Sequence, residues 1–253
     1  MKNLIIFIIF LTLISFKNEQ SQKLNGLVVV IDPGHGGTDP GASGYFGKDK
    51  LCVAESAYCY DVALRLEKLL KSEGAIVFKT VKGTQSKPLN NNPQQVIPFM
   101  KGYSLFNLDN SIVEAGSLGL SKRVSFANLK LENYPKHKVV FISIHFDVIN
   151  KKLLGARIIM GKNANYLGSC LKKELETGHR LTTSDNGLLK NGDKSFGIKN
   201  LVVLGKTNKI SECALIELGN FKNETDLWRI RDPKVREDYA LIVTKSLERF
   251  MKK

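Results

Sequence analysis

Val28-Val29-Val30-Ile31-Asp32-Pro33-Gly34-His35-Gly36-Gly37-Thr38-Asp39-Pro40-Gly41-Ala42 begins as four β-branched residues and ends as a glycine- and proline-rich loop around one histidine. The apolar run predicts a buried strand, and the Pro and Gly residues stop it abruptly. His35 is thereby placed at a strand end, where α/β proteins tend to collect ligand-binding and catalytic groups.

Working outward, Cys59, Val62, Leu66, Leu69 and Leu70 recur at spacings of three and four, which predicts a helix over 53–73 closed by Gly74. A strand over 75–80 follows, completing a strand-helix-strand unit of the kind that builds parallel sheet with helices on its faces. Further on, the pattern predicts a helix over 121–131 and a buried strand over 138–144 with His145 directly after it. Next come a strand over 155–160, a helix over 164–176, strands over 201–204 and 214–218, and a last helix opening at Pro233. No repeat and no second core is visible. Between Lys82 and Leu118 the periodicity disappears into an Asn-, Pro-, Gly- and Ser-rich stretch, read as an insertion because structureless loops of that length are uncommon inside a domain. A substrate-side flap, an oligomer contact and a plain surface loop all fit it.

The 253 residues, 43% hydrophobic and 25% charged, suit an ordinary globular protein with a substantial core. Met1-Lys2-Asn3 followed by an apolar run over 4–16 predicts a secretory signal over 1–20, because a bilayer span needs about 20 apolar residues. An uncleaved anchor is the alternative. The net charge of +14 favours polyanions, which for an exported chain means envelope polymers rather than nucleic acid. Lysines spread along the chain also fit a purely solubilising role, and no aromatic-basic cluster for stacking bases is present. Among the four cysteines, Cys59 lies on the apolar stripe of a helix and Cys213 beside an apolar strand, so both are expected as buried thiols, with the pairing of the set left open.

Three polar, metal-capable residues stand at the boundaries of apolar elements: His35, His145 and Glu55, the last in the first turn of the first long helix. Two histidines and one glutamate, leaving a position for water, form a recognised catalytic zinc arrangement. Each also has a plainer reading. His35 can stabilise a turn, His145 can be a hydrogen-bonded core residue, and Glu55 can favour its helix N-terminus. Glu217 is harder to dismiss, because an ionised carboxylate inside the apolar strand Ala214-Leu215-Ile216-Glu217-Leu218 costs several kcal/mol unless paired or metal-linked. Beside a metal site it could serve as general base and then general acid.

These stretches resemble, in order, the motifs of the zinc-dependent N-acetylmuramoyl-L-alanine amidases of the AmiC type: the Val29–Ala42 loop, Glu55 opening a helix, Ser143-Ile144-His145, and Ile216-Glu217-Leu218-Gly219. Arg123 and Ala127-Asn128 are similar to the family's Arg and Ala-Asn helix positions. The resemblance implies an α/β fold, a single domain with a central mostly parallel sheet flanked by helices, here over 24–253 with the insertion at 82–118. It implies His35, Glu55 and His145 as Zn2+ ligands and Glu217 as the catalytic acid/base. The implied reaction is hydrolysis of the amide between N-acetylmuramic acid and L-alanine of peptidoglycan, in wall remodelling, cell separation or lysis. An exported protein, periplasmic or at the cell surface, with no stable membrane insertion after signal removal, follows from the same reading; an activator protein is left open. Two alternatives stand beside it: a non-catalytic envelope-binding protein on the same fold, and a zinc peptidase acting on stem peptides. Asp147 and Asn220 replace the Asn and Phe of many members, which bears on the substrate groove rather than on the ligands. The stretch 147–204 is too short for the inhibitory helix of some Gram-negative relatives, which points to control by another route, such as the 82–118 segment.

Overall fold

The opening apolar run forms β1 (Leu27–Pro33), buried at every residue, as expected of a parallel strand covered on both faces. A computed structural model describes residues 22–46, 51–83, 85–98, 104–106, 112–113, 117–149, 151–161, 166–178, 188–190 and 200–253; the expected signal over 1–20 lies outside them. After β1 come β2 (Ser43–Phe46), β3 (Leu51–Ala54), α1 (Glu55–Ser72), β4 (Ile76–Lys79), β5 (Val81–Lys82), β6 (Ser104–Phe106), β7 (Ile112–Val113) and α2 (Ser117–Asn133). Then follow β8 (Lys138–Asp147), β9 (Arg157–Met160), α3 (Tyr166–Thr177), β10 (Leu188–Lys190), a 3-10 turn (Val202–Leu204), β11 (Glu212–Asn220), α4 (Glu224–Arg231) and α5 (Pro233–Met251).

Six strands make the central sheet in the order β10-β9-β11-β8-β1-β4. Every neighbouring pair is parallel except β9 with β11. The period of two along a strand divides the core. Leu27, Val29 and Ile31 pack with residues of α1, α3 and α5, whereas Val28 and Val30 pack with Val124 and Ala127 of α2 and with Val203 of the 3-10 turn. The fold is thus α/β, a single domain with helices on both faces of a mostly parallel sheet.

Local signals explain the helix ends. Asn223 caps α4 by accepting from the amides of Thr225 and Asp226. Asp232 caps α5 by accepting from Lys234 N, ahead of Pro233 in its first turn. α1 has no side-chain cap; instead its first amides, Glu55 N and Ser56 N, donate to the carbonyls of Ala42 and Pro40 at 2.9 and 3.0 Å. The glycine-rich loop therefore satisfies the helix that carries Glu55, and the two are fixed together.

Several expectations need correction. His145 lies within β8, which runs on to Asp147. Residues 53 and 54 belong to β3, and α1 starts at Glu55. The apolar stretch 201–204 is a 3-10 turn rather than a strand. Within the stretch read as an insertion, β6 and β7 join β5 in a small antiparallel sheet. Residues 85–98 of that stretch are pinned to the body: Ile97 is fully buried and donates from its amide to Tyr58 Oη, while Arg65 and Arg236 both donate to Leu89 O. All four cysteines are free, Cys59 and Cys213 buried as expected, Cys170 also buried and Cys52 exposed. Among the described residues no helix is long and apolar enough to cross a membrane.

Candidate metal centre

At the carboxyl end of the sheet, on the face covered by α2, the strands bring four polar residues into register. Asp32 of β1 stands opposite Ser143 of β8, and His145 of β8 opposite Glu217 of β11. Glu55 reaches the same place from the start of α1. His35 enters from the loop after β1, where its φ of 61° is the one positive value of a non-glycine residue among the described residues. Left-handed backbone at a histidine is a strained conformation that the surroundings must hold.

What holds it is visible. Arg123 of α2 donates from Nη2 to the His35 carbonyl at 2.6 Å and from Nη1 to the Pro33 carbonyl at 2.6 Å and Asp32 Oδ1 at 2.7 Å. Asp32 also accepts from Ser143 Oγ at 2.7 Å and from the Thr80 hydroxyl. Burial alone would raise its carboxyl, but the Arg123 charge and these hydrogen bonds outweigh burial and lower it. Two glycines make room for the rings. A Cβ on Gly34 would lie 2.5 Å from His145 Cε1, and one on Gly41, whose φ is +69°, would lie 2.5 Å from His35 Cδ2.

His35, Glu55 and His145 converge, with one ligand-capable atom of each within 4.8 Å of the others. Glu55 Oε2 is 3.1 Å from His35 Nε2, and Oε1 is 3.0 Å from His145 Nδ1. The carboxylate is oriented by the amides of Ala42 and Phe146, which donate to Oε2 and Oε1 at 2.8 and 2.9 Å. Asp39 Oδ2 sits 2.8 Å from His35 Nδ1, leaving Nε2 to face the cluster. Burial lowers His35, but the hydrogen bonds and charges of Glu55 and Asp39 prevail and push it up to about 9. Burial raises Glu55, and the two histidines overcome it to hold the carboxyl far below the usual range.

Glu217 shares a cavity of about 400 Å³ with these three residues. Its Oε2 is shielded from solvent and has no hydrogen-bond partner among the described residues. Burial raises this carboxyl well above its ordinary value, the charges of Asp147 and Glu55 add to the shift, and Arg157 opposes it. Asp147 is itself paired with Arg157, the direct neighbour of Glu217 across β9. All four expected site residues are therefore brought together.

Sequence reasoning gave no role to Asp32, Asp39 or Arg157. Asp32 carried the same signal as Glu217, a carboxylate in a buried strand, and Asp39 follows His35 by four residues in one loop. Arg157 had no local signal, since its role comes from strand pairing.

Two imidazoles and a carboxylate beside a second, buried carboxylate, set at the carboxyl end of a mostly parallel sheet, define an α/β protein with a metal-capable cleft. The model of the Amidase_3 family, N-acetylmuramoyl-L-alanine amidase, matches residues 29–249. The chain belongs to that family. It hydrolyses the amide between N-acetylmuramic acid and L-alanine in peptidoglycan, a reaction of cell-wall remodelling whose substrate lies outside the cytoplasm.

Among curated proteins, the chain is similar to the germination-specific N-acetylmuramoyl-L-alanine amidase of Bacillus subtilis, 26% identical over 97% of this chain and 90% of that protein. It is also similar to an uncharacterized cell wall amidase of Bacillus anthracis, 26% identical over 90% of this chain but only 36% of the relative's length. Two solved structures share the fold. Ami1, the N-acetylmuramyl-L-alanine amidase of Mycobacterium smegmatis, has a TM-score of 0.62 at 17% identity, covering 90% of this chain and 98% of that one. The CwlD amidase of Clostridioides difficile, solved in complex with the GerS lipoprotein, has a TM-score of 0.61 at 22% identity, covering 89% and 98%.

Proposed function

We propose that His35, Glu55 and His145 hold a zinc ion and that Glu217 is the acid/base of the amidase reaction. The donor set fits: two imidazoles and one carboxylate are the donors of an open zinc site, and among the described residues one ligand-capable atom from each of these three lies within 4.8 Å of the others. The chemistry a bound zinc supplies is a polarised amide carbonyl and a water whose pKa is lowered to about 7. This chain's residues do the rest. Asp39 holds His35 Nδ1 so that Nε2 faces the centre, and the amides of Ala42 and Phe146 fix the Glu55 carboxylate. Glu217 takes a proton from the attacking water and passes it to the departing alanine nitrogen.

The observation that carries this reading is the buried, unpartnered Glu217 Oε2 in the same cavity as the His-Glu-His cluster. The apolar run over 4–16 supports export through a cleaved signal, with action in the periplasm or at the cell surface. The CwlD–GerS complex supports a protein partner, and an activator would suit an enzyme that must be restrained from its own wall. The test is metal analysis of the purified chain and its His145→Ala variant. One equivalent of zinc in the parent and a marked loss in the variant support the ligand assignment; equal zinc in both refutes it.

A further inference from the structure

The cavity that holds Glu217 has an apolar lining as well as a polar one. The apolar residues are Leu120 of α2, Phe146 of β8, Leu201 with Val202 and Val203 of the 3-10 turn it caps, and Leu215 of β11. Leu215 lies two residues before Glu217, so both side chains point from the same face of one strand. Val203 and Leu215 are core residues, whereas Val202, which lines the same cavity, is 41% exposed.

The apolar side is built to keep its shape. Leu204 and Gly205 donate to the carbonyls of Leu201 and Val202, closing the turn. Asn208 Nδ2 donates to Val203 O at 2.8 Å. Asn128 of α2 binds the following strap from both ends of its amide, donating to Thr207 O at 2.8 Å and accepting from Lys209 N at 2.9 Å. Asn128 is thus a positioning residue that ties the turn to the helix carrying Arg123.

The role assigned to Glu217 orients the substrate against this wall. A carboxyl that protonates the leaving nitrogen must lie against it, so the carbon bonded to that nitrogen lies next to Glu217 and its flank meets Glu217's apolar neighbours. We infer that Leu201, Val202 and Leu215 form a subsite for the methyl side chain of the first stem residue, which makes the turn over 202–204 a specificity element for L-alanine on the amine side of the scissile bond. The inference rests on the acid/base assignment of Glu217. A methyl-sized apolar contact is worth roughly tenfold or more in kcat/KM; a first residue without a side chain forgoes it, and one with a hydroxyl must bury that hydroxyl against apolar groups.

The experiment compares zinc-loaded enzyme on synthetic muramoyl peptides that differ only in the first residue, L-alanine, glycine or L-serine. The parent is expected to favour L-alanine by about tenfold. Val202→Ala should erase most of that preference by lowering kcat/KM for the alanine substrate through KM, leaving glycine within about twofold, and Val202→Ile should restore it. Leu241→Ala, on the exposed side of α5, serves as the control for an apolar loss elsewhere. Equal rates of the parent on all three substrates, or an equal loss on all three in Val202→Ala, would overturn the subsite while leaving the amidase centre intact. Absence of turnover on every substrate would overturn the centre and the subsite together.

Discussion

Glu55 Oε1 stands 3.0 Å from His145 Nδ1, although the two residues are 90 positions apart in the chain. The contact joins the first turn of α1 to the end of β8, and the other carboxylate oxygen reaches His35.

On the proposed ligand assignment, metal uptake displaces a proton from His35. Its value in the folded, metal-free protein is about 9 against 6.5 for the free side chain. Because the folded value is raised, the stabilisation from this group is complete below pH 6.5 and is lost as pH rises through 9. Zinc affinity should run the opposite way, rising by roughly tenfold per pH unit across that window and then levelling. Titration calorimetry in buffers of different ionisation enthalpy should show close to one proton released near neutral pH; no release would contradict the His35 assignment.

Glu217→Gln should keep its zinc and lose turnover by about 10²- to 10⁴-fold, the usual worth of a general acid/base. Dye release from labelled peptidoglycan together with metal analysis reads both quantities. Activity within a factor of two of the parent would remove Glu217 from the mechanism.

Asp39→Ala removes the partner of His35 Nδ1 without touching a proposed ligand. Zinc affinity should fall by about 10- to 100-fold, with activity restored at saturating metal. An affinity loss that Asp39→Glu does not reverse in part would favour a role in the loop turn instead, where Asp39 Oδ1 accepts from Gly41 N.

Arg123→Ala leaves Asp32 buried with only Thr80 and Ser143, and frees the His35 carbonyl from its brace. Breaking a buried pair in this way costs about 3–5 kcal/mol, which denaturant unfolding measures directly. Since the Asp32 carboxyl is lowered in the folded state, its contribution is present above its ordinary value of 3.8 and is lost as pH falls below it. The parent's margin over Arg123→Ala should accordingly shrink in acid.

How much was legible in the sequence follows from where each signal resides. β1, α1, β8 and α5 carry strong periodicity or long apolar runs, and each was located to within a few residues. The four site residues could be named because they interrupt or terminate those elements. The turn over 202–204 was misread because a short apolar run looks alike in a strand and in any buried segment, and only the closure at Gly205 separates them. The antiparallel β2–β3 pair was missed because Gly44 gives no alternation; its bare α-carbon is what lets Leu227 of α4 approach, a relationship across 183 positions of the chain. α4 was missed for its polar composition, although Asn223 with Glu224 and Asp226 is a usable start signal. The clamp of Arg65 and Arg236 on the 85–98 segment depends on α1 and α5 lying side by side, which no local pattern reveals.

The central claim is that the His35–Glu55–His145 centre cleaves the bond between N-acetylmuramic acid and L-alanine through zinc. Its most direct test is mass spectrometry of purified sacculi digested by the parent protein, by the chelator-stripped protein and by the stripped protein with zinc returned. The expected result is intact stem peptides bearing a free L-alanine amine, lost on stripping and recovered with zinc. Undiminished release of those peptides from fully stripped protein, or cleavage at another bond, would contradict it.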